Sequence, residues 1–138
     1  MAEIMNPLFS DVQLMLDAIL KKSQFAQGNP NPQPAPHRVF WRQTNQYAED
    51  YRRFTTGNVP GVDIPIMNTA PGKELTSNFY VVLTNTNGLP NDGINQMPDG
   101  GPFITDQGYN LALADGRQMT GDELTASLAR WLTNKFPK

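Results

Sequence analysis

The two longest amphipathic stripes of this chain lie at its opposite ends, and no other feature constrains the fold as strongly. Near the start, Leu8, Val12, Met15, Leu16, Ile19 and Leu20 recur at three- and four-residue steps, which lines them along one face of an α-helix. Asn6 suits the N-cap and Pro7 the first helical position, where a missing N–H does no harm. Lys21 and Lys22 fit the last turn, where positive charge suits the helix dipole, and the helix is expected to stop before Gly28. Near the other end, Leu124, Leu128, Trp131 and Leu132 form a second stripe. It opens with Thr120-Gly121-Asp122-Glu123, a capping box in which threonine and glutamate serve each other's backbone N–H groups. Both stripes need an apolar partner, and the terminal helices are expected to supply it for each other.

The middle of the chain is broken by glycine and proline. Residues 28–36 carry Pro30, Pro32, Pro34 and Pro36 at alternate positions, which favours extended, polyproline-like backbone. This stretch is too short to separate two domains and is expected to be a surface connector. A proline-rich ligand for a partner's groove is the sharper alternative. Residues 44–54 place Tyr47, Tyr51 and Phe54 on one face of a short second helix. A third is expected over residues 74–83, with Leu75, Phe79, Val82 and Leu83 facing inward. Residues 88–93 are a turn-rich loop. Residues 109–119 alternate around Asp115-Gly116, which predicts a small hairpin with a two-residue turn. The fold class expected is mainly α, in one domain over residues 1–138.

Composition excludes much conventional chemistry. There is no cysteine, so disulfides and thiolate metal sites are ruled out, and a single histidine, His37, rules out histidine-rich zinc centres within one chain. The net charge of −2 creates no field to draw nucleic acid or an anionic membrane. No apolar run approaches the ~20 residues of a membrane helix. Residues 1–6 lack the basic and apolar regions of a secretory signal, so the expectation is cytoplasmic, or periplasmic or secreted if a leader has been removed.

A resemblance rests on three elements in order. Phe54-Thr55-Thr56-Gly57-Asn58-Val59-Pro60-Gly61-Val62 leads into Ile64-Pro65-Ile66 and a short helix containing Ser77-Asn78-Phe79-Tyr80. Gln96-Met97-Pro98-Asp99-Gly100-Gly101-Pro102-Phe103-Ile104-Thr105 follows, and a tryptophan-bearing helix comes last. This order resembles bacterial cytochrome c-like domains, particularly relatives without the Cys-x-x-Cys-His attachment site. The likeness spans roughly residues 40–136, and its specific part is residues 96–105. It implies terminal helices that cross with Trp131 near the crossing, two short middle helices and long loops. It also implies a crevice closed by the Met97 loop. Two departures stand out. Without cysteine there is no covalent haem, and the hairpin at 109–119 looks like an insertion before the last helix.

Several candidate sites follow. The resemblance makes Phe40, Trp41, Tyr80, Met97, Phe103 and Tyr109 the residues expected to line or fill the former haem crevice. His37 and Met97, an imidazole and a thioether, could ligate haem held non-covalently; the favoured reading is that no cofactor binds. Glu49, Asp50, Asp92, Asp99, Asp106, Asp115, Asp122 and Glu123 could supply a carboxylate pair for a small enzyme, but no spacing singles one out. Arg38, Arg42, Arg52 and Arg53 among Phe40, Trp41, Tyr47 and Tyr51 could stack bases, though pairing of the arginines with Glu49 and Asp50 accounts for them more simply. The expectation is therefore a haem-free, non-catalytic binding or assembly module. Its partner would be another protein, a second copy of itself, or a small apolar ligand if the crevice keeps a pocket. Neither nucleic acid nor membrane is expected.

Overall fold

A computed structural model describes residues 3–26, 28, 39–61, 63–85, 96–98 and 101–138. The connector at 28–36 (apart from Gly28), His37, Arg38, the loop at 88–93 and Asp99 lie outside the described residues. The architecture is mainly helical. It comprises α1 (Phe9–Ala26), α2 (Tyr47–Thr56), a 3-10 turn (Glu74–Thr76), α3 (Asn78–Thr84), β1 (Asn110–Ala112), β2 (Gln118–Thr120) and α4 (Gly121–Thr133). The two strands form one antiparallel sheet, with Leu111 opposite Met119.

The first helix begins two residues later than Pro7 because its cap is made by Asp11. That carboxylate accepts the Leu8 N–H at 2.8 Å, and the Leu8 carbonyl accepts from Val12 at 3.1 Å. Leu8 therefore precedes the helix and is 45% exposed, not part of the buried stripe. The helix also runs on to Ala26, so Lys21 and Lys22 stand before its last turn.

All the N–H groups of the first turn find acceptors. Phe9 donates to the Pro137 carbonyl at 3.0 Å, Ser10 to the Tyr47 hydroxyl at 3.1 Å, and Asp11 and Val12 to Leu8. This is the complete satisfaction that a buried helix terminus requires.

Around Phe9 the core is aromatic. Its ring centroid lies 5.6 Å from Tyr47, 5.4 Å from Tyr51, 5.3 Å from Phe54 and 6.1 Å from Trp131. The terminal helices thus meet through Phe9 and Trp131. The α2 face expected from the sequence is the one that wraps Phe9, although α2 starts at Tyr47, not at residue 44. Phe79 of α3 completes the cluster, 4.9 Å from Phe54 and 6.2 Å from Trp131. Edge-on contacts of this kind add about 0.5–1.5 kcal/mol each to the area they bury. Residues 135–138 close over it: the Pro137 carbonyl accepts from the Trp131 indole at 2.9 Å as well as from Phe9, and the Phe136 carbonyl accepts from the Tyr51 hydroxyl at 2.6 Å.

The third helical segment differs from expectation. It splits into the 3-10 turn and α3, and Leu75 points out at 42% exposure, while Phe79 and Leu83 are buried. Glu74 is buried in its place, because its carboxylate accepts the Gly72 N–H and pairs with Lys135 at 3.2 Å.

At the hairpin the turn is one residue longer than predicted. Leu113 N–H bonds to the Arg117 carbonyl at 2.7 Å and Gly116 N–H to the Leu113 carbonyl at 2.9 Å, leaving Ala114, Asp115 and Gly116 in the loop. Gly116, at φ +95°, takes the left-handed position that this turn needs. Strand β2 then runs directly into α4 through Thr120, whose capping box is present on both sides: 3.2 Å from Glu123 N–H to the Thr120 hydroxyl and 2.9 Å back. Gly121 is obligatory at this junction, since a Cβ there would sit 1.9 Å from the Ile104 carbonyl oxygen.

Candidate functional site

The other half of α1 faces a cavity. Leu16, Ile19, Leu20, Ser23 and Gln24 follow the helical repeat along one face and form one wall. Opposite stand Val82 and Leu83 of α3, Phe40 and Trp41, and Met97 and Pro98. The space between them is about 100 Å³ and is partly open to solvent.

A polar clamp fixes its aromatic side. Asp17 accepts the Trp41 indole N–H at 2.6 Å and pairs with Arg42 at 2.7 Å, while Gln13 donates to the Trp41 carbonyl at 2.8 Å. Phe40 stands edge-on to Trp41 at 5.0 Å and stacks on Phe54 at 5.9 Å. On the other side, Met97 N–H bonds to the Val82 carbonyl at 2.8 Å. Gln96 donates to the Leu83 carbonyl and the Thr105 hydroxyl, at 3.1 and 2.8 Å. Ser23 donates to the Gly101 carbonyl at 3.1 Å, tying the loop after Met97 to α1.

Of the six crevice residues expected from the sequence, Phe40, Trp41 and Met97 come together at this cavity. Tyr80, Phe103 and Tyr109 do not line it. Tyr109 packs elsewhere, 5% exposed, with Lys22 Nζ 5.2 Å from its ring centroid and its hydroxyl without a hydrogen-bond partner. Burial, with Asp106 nearby, pushes that phenol well above its usual range. Burial also raises Tyr80. The cavity residues not singled out from the sequence are Ser23 and Gln24. Both continue the stripe of Leu16 and Leu20 by four-residue or seven-residue steps, so extending that face one turn would have found them.

Among the described residues, none of the candidate carboxylates lines the cavity. Glu49 pairs with Arg52 and Arg53, and the Arg52 hydrogen bond holds its carboxyl below the usual range. Arg42 pairs with Asp17, and Asp50 instead accepts from the Thr44 N–H and hydroxyl at 2.7 and 2.8 Å. Asp106 accepts the Phe103 N–H, Asp115 pairs with Arg117, and Glu123 serves the capping box. Among the described residues no three His, Cys, Asp or Glu side chains are grouped to hold a metal ion, and no helix is long and apolar enough to cross a membrane.

Haem is the group the resemblance implies; of its two expected ligands only Met97 is among the described residues, and the space beside it is about 100 Å³. What the arrangement suits is a small apolar group held between α1, Trp41 and α3. Compared with known proteins, the chain matches no protein-family model, no curated protein and no solved structure.

Proposed function

We propose that this chain is a haem-free, non-catalytic binding module on a cytochrome c-like frame, and that the cavity beside Met97 takes up a small apolar ligand. The observation that carries the reading is the cavity itself, apolar on most of its wall and braced by the Asp17, Trp41 and Arg42 clamp. A ligand of matching shape would displace water from this mostly apolar wall and gain from the surface it covers. An engineered cavity of about 150 Å³ already binds benzene, so a group of four to six carbons is the appropriate scale.

The test is titration of the protein with 2,3-dimethylbutane, followed by NMR of the Met97 methyl. Saturable shifts that vanish in Val82→Phe, which plugs the space, are expected. No shift in the wild type overturns the reading. A Soret band on adding hemin, lost in Met97→Ala, would favour the haem alternative.

A further inference from the structure

Met97 is placed unlike the other methionines. Among the described residues, Met15, Met67 and Met119 are buried, at 0, 8 and 1% exposure, and Met5 stands in solvent at 56%. Met97 is half-buried and lines a cavity that is partly open to solvent. Its backbone is anchored there. The Met97 N–H bonds to the Val82 carbonyl at 2.8 Å, and Gln96 bonds to the Leu83 carbonyl and the Thr105 hydroxyl. The thioether is therefore held at the cavity, on a wall shared with Leu16, Ile19 and Val82, where a small solute can reach it.

We propose that Met97 is a reversible oxidation site, modified by hydrogen peroxide, that gates ligand uptake by this cavity. The gating rests on the binding reading above. In the chemical step the sulfur lone pair takes one oxygen of the peroxide as the O–O bond breaks. The proton on that oxygen passes to the departing hydroxide, which leaves as water. Sulfur gives up two electrons, the peroxide gains them, and the product is methionine sulfoxide. A soft, apolar thioether thereby becomes a polar group on the cavity wall. The new oxygen calls for a hydrogen bond, which an aliphatic ligand cannot return. Water is then favoured over the ligand. The opposition runs both ways: a ligand lying over the sulfur shields it from peroxide, and an oxidised sulfur disfavours the ligand. Because sulfoxide reductases reverse the step, the gate reopens.

The experiment treats the protein with graded hydrogen peroxide, maps sulfoxide by peptide mass, and titrates 2,3-dimethylbutane before and after. Met5 and Met97 are expected to oxidise ahead of Met15, Met67 and Met119, with Trp131 fluorescence unchanged. Oxidation should weaken the alkane at least about tenfold, equivalent to about 1.4 kcal/mol, and a methionine sulfoxide reductase should restore it. Saturating alkane should slow modification of Met97 and leave that of Met5 as it was. In Met97→Leu the affinity, whatever its starting value, should be the same before and after peroxide, whereas Met5→Leu should keep the full response. If the alkane binds but Met97 oxidises no sooner than the buried methionines, or its oxidation leaves affinity unchanged, the gate is overturned and the cavity reading survives. A loss of binding that comes with a change in Trp131 fluorescence also overturns the gate, since the fold itself has then given way. If the alkane does not bind the untreated protein, both fall together.

Discussion

The two halves of α1 are built by opposite rules. Around Phe9, rings of two other helices close on one side chain, and every first-turn N–H has an acceptor. From Leu16 to Gln24 the same helix borders a cavity. Saturated packing at one end fixes the fold, so the other end can leave surface uncommitted. Natural domains are marginally stable, and an unfilled space is tolerable only where the remainder of the core has stability to spare.

The largest effects should come from the aromatic half. Phe9→Ala is expected to lower unfolding free energy by about 3–5 kcal/mol. Leu20→Ala, half-buried at the cavity, should lower it by only about 1–1.5 kcal/mol, because part of that side chain is already uncovered. Equal losses in urea denaturation would erase the contrast. Next in size is Gly121→Ala. Its Cβ would fall 1.9 Å from the Ile104 carbonyl oxygen, a backbone overlap expected to cost at least the ~1–3 kcal/mol of ordinary overpacking. Because Ile104 belongs to the loop after Met97, the Met97 methyl resonance should move more than Trp131 fluorescence does. The reverse pattern would show that the two halves are not separable.

A smaller effect of opposite sign is expected at Tyr109. Its hydroxyl is buried without a partner, so Tyr109→Phe should raise stability by up to about 1 kcal/mol. A loss in chemical denaturation would mean that the hydroxyl is bonded in solution. The smallest effect is that of pH. Hydrogen bonds from Arg130, Lys135 and Arg117 hold the carboxyls of Glu3, Glu74 and Asp115 below their usual range. A carboxyl whose pKa is lower folded than unfolded stabilises the fold above its unfolded value and ceases to do so as pH falls through its folded value. The midpoint of thermal unfolding should therefore be flat near neutrality and decline below about pH 4. The decline should be shallower in high salt, since most of these pairs are exposed. Glu3 with Arg130 and Glu74 with Lys135 join distant segments around α4, so the aromatic half should loosen first.

Elements that depend on neighbours in the chain were legible in the sequence. The Thr120 to Glu123 capping box, the hairpin and the stripe ending at Leu132 all rest on groups within a few residues of one another. Errors arose at boundaries, where one side chain overrides periodicity. Asp11 reaches back to Leu8 and delays α1, and Glu74 turns inward where Leu75 was expected because Gly72 and Lys135 satisfy its charge. The cavity was not legible in full. Phe40, Trp41 and Met97 were identified, but the roles of Ser23 and Gln24 depend on where α3 and the Met97 segment come to rest against α1. That juxtaposition has no signature in local spacing.

The Pro137 carbonyl, which accepts from both Phe9 and Trp131, also sets an order of events. During synthesis the first helix leaves the ribosome long before its acceptor is made. The Phe9 N–H must then wait for this acceptor until residue 137 has been added. Closure of this half is thus tied to the arrival of residue 137, and contacts of such sequence separation favour slow, concerted assembly over stepwise growth from the first helix.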